Sequence, residues 1–541
     1  MIKRIISLML TLLMCLSLAA CGSKGSDAQI IYPIDSDPEY LDPQIISDVG
    51  AKNIIANCFE GLVTIDGEGN IAPGCAESWS ISPDGLTYTF RLREDCEWRV
   101  SSYAGAVIGD NYKETFDTKI TAEDFVFAFR RALRPETKSP GAKNLYSIKN
   151  ATQVNNGSLS EEKLGVKATG NHTLVITLEW ADPDFLYTLL EPACMPCDET
   201  FFELTGGRYG LAIKYLLYNG PFYISNWADD TSISLRRNEK YYDSANVKPA
   251  SIYFSMNNEQ ATRLDKIKNG TYDVAPLTAD QASEIADSKK YSVAAFPSSV
   301  MSLIFNCKDE NLNNINIRRA IAASFDVDTL RSQLGELTAD GIIPSSMILS
   351  GEPYRQKAEK LSLYTSKNPR ALLEKGLLQT DKDDIEVTVL CSEAHEEVVR
   401  MIMQSWQSTL GVNFNVFVEA VDEVTLQSRT KSGDYQIALC PVSYSSVTAF
   451  NGVLRFSTDS AHNICNFSDS MYDQIIRSIK TADGSEASLN ATLKAEKYLI
   501  SSCVLIPLYE QAVYYGIGKN VSSVTFTSTG EILYFKNTLA E

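Results

Sequence analysis

Residues able to do covalent or acid–base chemistry are few in this chain, and they are scattered. Three histidines occur in 541 residues. His395 sits in "AHEEVV" and lacks the second histidine at i+4 that a zinc-binding H-E-x-x-H helix needs. His172 opens a strand-like stretch and His462 sits in the polar "DSAHN", so surface or turn positions are expected for both. No G-x-S-x-G elbow and no G-x-x-x-x-G-K-[ST] phosphate loop is present. The acid pairs Asp229–Asp230 and Asp383–Asp384 lie in polar loops and read as solvated faces. "CMPC" (Cys194 to Cys197) is the only C-x-x-C, half a zinc site at most and without a thioredoxin-like context. The expectation is a non-enzyme with no catalytic residue, no cofactor and no metal site.

One stretch stands out by what it lacks. From Tyr435 to Leu454 there is no charged residue, in a chain that is 22% charged. Such a run is either a strand buried on both faces or the lining of a binding site.

Elements must position whatever these residues do. A chain of 541 residues exceeds one core, so two or more lobes are expected. Lys3 and Arg4, the apolar "IISLMLTLLMCLSL" and the small residues Ala19 and Ala20 have the layout of a secretory signal. "LAAC" resembles the bacterial lipobox, which implies lipid on Cys21, a polar tether to Ala28, and a protein held outside the cytoplasm on a bilayer. No later run has the length and apolarity of a membrane span. Loss of Lys3 and Arg4 takes the net charge from −19 to about −21. So acidic a chain is not expected to bind nucleic acid, whose phosphates need clustered Lys and Arg. Twelve cysteines are present, irregularly spaced, and suit either disulfides or buried free thiols.

Strand-like and helical segments interleave. "GLTYTFRLR" alternates like a half-buried strand. "TAEDFVFAFRRALRP" predicts a helix capped by Thr121, with Asp124 in the capping-box position and Pro135 at its end. "INIRRAIAASFDVDTL" predicts one helix. "NPRALLEKG" predicts another, capped by Asn368 and stopped at Gly376. "HEEVVRMIMQSWQSTLG" repeats Val398, Ile402, Trp406 and Leu410 on one face and stops at Gly411.

Taken in order, several blocks are similar to the oligopeptide, dipeptide and nickel group of ABC-importer solute-binding proteins, family 5. They begin with "LDPQ" at Leu41 and "FEGLVTIDGEGNIAPGCAESWSISPDGLTYTFRLREDCEW". "TAEDFVFAFRRALRP", "NGPFYISNW", "LRRNEKYYD", "NGTYDVA" and "FNCKDENLNNINIRRAIAASFDVD" continue the series, and "LGVNFNV", "GDYQIAL" and "IPLYEQ" close it. The resemblance implies an α/β, two-lobe periplasmic-binding-protein fold of type II, with a subdomain inserted in lobe one. The boundaries it implies are signal 1–20, tether 21–28, lobe one 29–60, inserted subdomain 61–216, lobe one again 217–297, lobe two 298–504 and lobe one 505–541. The crossings near "PSSVMS" and "SCVLIP" would be the hinge. It implies a monomeric, membrane-anchored subunit that captures peptides in the inter-lobe cleft and hands them to a permease and its ATPase. A non-peptide solute (opine, sugar derivative or metal chelate) and a non-transport surface receptor for a peptide signal are the alternatives.

Three departures from the family matter. "RVSSYAGAVIGDNYKETFDTKI" is an insertion, expected as a surface loop or hairpin. Family peptide binders carry tryptophan and then aspartate after the strand matching "GDYQIAL", and that aspartate pairs with the peptide ammonium. Here the aspartate position falls on Ser443 or Ser445 and the tryptophan position on Pro441 or Val442. The candidate ligand residues are therefore Ser443, Tyr444 and Ser445, with Ser47, Asp48 and Val49 from the loop after "LDPQ". Asp48 either replaces the missing charge or caps the helix that follows.

Overall fold

The computed structural model describes residues 28–540 except 110, 257–258, 335–337, 445–446, 461 and 483–484. Cys21 and Ser445 therefore lie outside the described residues. The chain forms a two-lobe α/β fold.

Lobe one holds a four-stranded sheet in the order Gln29–Pro33, Ser251–Ser255, Ser232–Arg237, Phe222–Ala228. The first pair is parallel and the others antiparallel. A second, antiparallel sheet orders Ala76–Ile81, Thr87–Leu92, Thr173–Thr177 and Val166–Gly170. One continuous apolar core joins both. The C-terminal tail returns to it through two asparagines of the helix Val49–Cys58. Asn53 Oδ1 accepts from Leu533 N–H at 2.7 Å and Asn57 Oδ1 from Phe535 N–H at 2.9 Å.

A six-stranded sheet connects the lobes. Its order is Val274–Leu277, Leu505–Ile517, Ser292–Phe305, Ile437–Ser443, Ile385–Ser392, Phe414–Val421. Two long antiparallel strands, Ser292–Phe305 and Leu505–Ile517, run through both lobes. Phe296 and Val513 pack on the lobe-one core, whereas Met301, Phe305, Leu508 and Tyr509 sit in a lobe-two core. The changeover lies within "PSSVMS", where the register shifts between Pro297 and Ser299 and again between Met301 and Ser302. Opposite it stand Pro507 to Ala512, which include the end of "SCVLIP". Lobe two buries a separate core on each face of its sheet.

The helix Ala122–Leu133 forms as its residues dictate. Asp124 reaches back to accept from the Thr121 N–H at 2.7 Å and hydroxyl at 3.0 Å. Phe125, Phe129, Ala132 and Leu133 are fully buried. The helix Glu396–Leu410 buries Val398, Ile402, Trp406 and Leu410 and ends at Gly411, whose φ of +80° suits glycine.

Three expectations need correction. The insertion contains two short helices, Ser102–Ile108 and Tyr112–Thr115, because Ser101 caps the first and Ala104 buries against the core. "INIRRAIAASFDVDTL" splits into Ile315–Ala322 and Val327–Leu334. Asp326 breaks it by accepting from Asp328 N–H at 3.0 Å and from the Thr329 hydroxyl. Gly376 does not stop its helix, which runs Pro369–Thr380. A Cβ there would lie 2.5 Å from Ile317 Cγ1, so this glycine lets two helices touch. The ten described cysteines are free thiols, all but Cys307 buried.

Candidate functional site

The uncharged run begins as the strand Ile437–Ser443. Ile437 and Leu439 belong to the core on one face of the sheet, and Ala438, Cys440 and Val442 to the core on the other. A strand buried on both faces excludes charge. The strand reaches daylight at Ser443, which is exposed and pairs with Ser299 at the changeover between lobes.

Tyr444 follows, and its hydroxyl donates to the Ile342 carbonyl at 2.5 Å. Burial pushes its phenol pKa well up. Its polar end is thus committed to the backbone and its ring faces the helix Ala449–Leu454, where a Cβ on Gly452 would meet Tyr444 Cε1 at 3.4 Å. Arg455 ends the uncharged run. It donates to the carbonyl of Ser443 and, at 3.4 Å, to that of His462, and its guanidinium lies 5.1 Å from the Tyr444 ring centre.

These residues form one wall of a cavity of about 480 Å³, within the range of small-ligand sites. Ser457, Asp459, Ser460, His462 and Lys480 extend that wall. The opposite wall comes from the inserted part of lobe one: Lys143, Asn144, Tyr146, Thr152 and Trp180. The Lys480 ammonium stands 3.8 Å from the Trp180 ring centre, a cation–π contact across the gap.

Cations dominate this lining. Lys143, Arg455 and Lys480 face it, against one exposed carboxylate, Asp459. Burial and then Lys431 push the Lys143 pKa down. Burial also lowers Lys480, with Glu179 acting the other way. Partial burial, then Lys143, Arg455 and Lys431, push His462 down to about 4, so its imidazole is neutral at pH 7.

A second contact joins the lobes. The Asp184 carboxylate accepts from the N–H groups of Ser350 at 3.0 Å and Gly351 at 2.9 Å, at the tip of the lobe-two hairpin Ile348–Leu349/Glu352–Pro353. Burial pushes Asp184 up, and burial followed by the Asp184 charge pushes Asp182 up to about 7.

The sequence candidates separate into two groups. Ser443 and Tyr444 come together in the cavity wall. Ser47, Asp48 and Val49 are exposed and do not line that cavity. Asp48 caps the helix Val49–Cys58, its Oδ1 accepting from Ala51 N–H at 2.7 Å. Lys143, Trp180, Arg455 and Lys480 went unrecognised in the sequence. Only Arg455 carried a signal, as the residue that closes the uncharged run. Among the described residues, no cluster of His, Cys, Asp and Glu could hold a metal ion.

The profile of the bacterial extracellular solute-binding proteins, family 5, matches residues 70–463. The chain belongs to this family. Among its relatives is the oligopeptide-binding protein OppA of Bacillus subtilis, 26% identical over 568 residues, covering 98% of each chain. Another is the probable deoxycholate-binding periplasmic protein YgiS of Escherichia coli, 26% identical over 493 residues, covering 89% of this chain and 87% of YgiS. Among solved structures, the substrate-binding domain of an oligopeptide ABC transporter from Bacillus anthracis is 26% identical with a TM-score of 0.72, covering 95% of this chain and 98% of that one. The relatives are binding proteins rather than enzymes. As a family-5 protein, the chain is an extracytoplasmic solute binder, and no described helix is long and apolar enough to cross a membrane.

Proposed function

We propose that this family-5 protein is the binding subunit of an ABC importer. It captures peptides between its lobes and delivers them to a permease driven by an ATPase, while lipid on Cys21 holds it at the membrane. The observation that carries this reading is the cavity itself, which lies between the lobes beside two strands that cross from one to the other. Bending at Pro297–Ser302 and Pro507–Ala512 would swing Lys143 and Trp180 away from Arg455 and Lys480 and open the site. Relatives named for oligopeptide binding support a peptide as the solute. Ser443, Tyr444 and Ser445 are the proposed solute contacts from lobe two. Ser47, Asp48 and Val49 are a proposed rim, in which Asp48 acts first as a helix cap.

Mass spectrometry of whatever co-purifies with the native protein tests the ligand class. Peptides in the extract support the reading, and a single non-peptide solute would replace it. Cys21→Ala is expected to move the protein from the membrane to the soluble fraction. Retention on the membrane would sink the lipid anchor.

A further inference from the structure

The cavity carries the opposite charge to the one expected where family peptide binders pair a carboxylate with an ammonium. Beyond Ser443 the lining offers Arg455, Lys480 and Lys143, and Lys431 stands close enough to perturb Lys143 and His462. This happens in a chain whose net charge is −19, so the cations are concentrated here against the general trend. Among the described residues none of Lys143, Arg455, Lys480 and Lys431 forms an ion pair. Glu179 influences Lys480 but does not pair with it, and Asp459, the one carboxylate of the lining, is exposed and pairs with none of the four. Arg455 Nε is buried with no hydrogen-bond partner, although its terminal nitrogens meet two carbonyls. Buried guanidinium N–H groups are ordinarily satisfied, and carboxylates are their best partners. Trp180, Tyr146, Tyr444 and Leu454 add apolar and aromatic surface to the same walls.

We infer that this cavity receives a carboxylate carried on an apolar body, held by Arg455, Lys143 and Lys480, instead of a peptide ammonium. The inference rests on the reading of the cavity as the solute site. Two sources offer that chemistry: an acidic residue within a peptide, or a free amphipathic organic acid such as deoxycholate. Like-charge contact with the three lining cations would exclude an ammonium from the same place.

Calorimetry on the purified full-length protein, freed of bound solute, separates the possibilities. Three probes are used: acetyl-Ala-Phe-Glu-Ala-amide, its Gln counterpart and deoxycholate. Binding of the Glu peptide at least about tenfold tighter than the Gln peptide supports the inference, as that ratio corresponds to about 1.4 kcal/mol. The preference is expected to fall below twofold in Lys143→Gln/Lys480→Gln, with an unchanged melting temperature as the control for folding. Deoxycholate binding that the same double variant weakens about tenfold also supports it. In that case, silence from both peptides overturns the peptide reading while the inference stands. Equal affinity for the Glu and Gln peptides without deoxycholate binding overturns the inference and leaves the peptide reading intact. No binding of any probe at millimolar concentration overturns the inference as well.

Discussion

Arg131 and Lys143 belong to the same inserted part of lobe one, yet their charges are met in opposite ways. Arg131 is buried in the core, donates to Asp42 and to Gln44 Oε1 at 2.6 Å, and lies 4.3 Å from the Phe202 ring centre. Both terminal nitrogens of its guanidinium are answered by neighbours inside one lobe. Lys143 faces a cavity whose far wall brings Arg455 and Lys480, and among the described residues no carboxylate pairs with any of them. The Asp184 carboxylate gives a third case. It too faces lobe two, and there two backbone N–H groups meet it. A charge met by its own protein builds structure. A charge left unmet in a cavity can be stabilised by a solute.

The largest effect is expected where a met charge loses its partner. Arg131→Met leaves Asp42 buried and unpaired, which should lower the unfolding free energy by about 3–5 kcal/mol in urea titrations. A loss below about 1 kcal/mol would remove the contrast with Lys143, whose replacement by Gln should leave stability within about 0.5 kcal/mol.

Acidity acts on the same inserted region. Burial is the main cause that pushes Asp124, Asp182 and Glu191 up to about 7. Between their ordinary values near 4 and about 7, the native state holds protons that the unfolded chain has released. Stability from these groups is therefore full at the acid end and falls as pH rises towards 7. His462, held down to about 4, opposes this between about 4 and 6.5 but is one group against three. The melting temperature is expected to be higher at pH 5.5 than at pH 8. The reverse order would show that these carboxyls are not buried as described.

Asp184→Ala orphans two N–H groups on the lobe-two hairpin and should cost about 1–3 kcal/mol. If the contact also holds the lobes together, the variant will release bound solute faster in stopped-flow displacement. An unchanged release rate would confine Asp184 to stability. The smallest effect concerns Asp48. Asp48→Asn keeps a capping side chain, so both stability and solute affinity should stay within about 0.5 kcal/mol, whereas Asp48→Ala should cost about 1 kcal/mol of stability. A selective loss of affinity in Asp48→Asn would make this loop a ligand contact.

Much of the fold was legible because it is local. The helix Ala122–Leu133 follows from Thr121, Asp124 and the phenylalanine spacing, and Glu396–Leu410 from its apolar repeat and Gly411. The misreadings share a cause. Gly376 reads as a stop because glycine often ends a helix, but it faces Ile317, 59 residues earlier in the chain (376 − 317), whose Cγ1 a Cβ there would meet at 2.5 Å. The single helix expected from Ile315 to Leu334 broke because the Asp326 side chain bonds to the backbone ahead of it.

Ordered motifs name the family, and the missing acid beyond the strand makes Ser443 and Tyr444 candidates, both of which line the cavity. Those are short-range facts: pattern, period and the identity of neighbours along the chain. Which charges are met is a long-range fact. Lys143, Trp180, Arg455 and Lys480 come from separate elements, and no spacing links them in sequence. Asp42 answers Arg131 and backbone N–H groups answer Asp184, while Arg455 Nε stays unanswered. Coulomb energy and hydrogen bonding depend on distance and burial, and only tertiary packing, within a lobe for Arg131 and between lobes for Asp184, sets both.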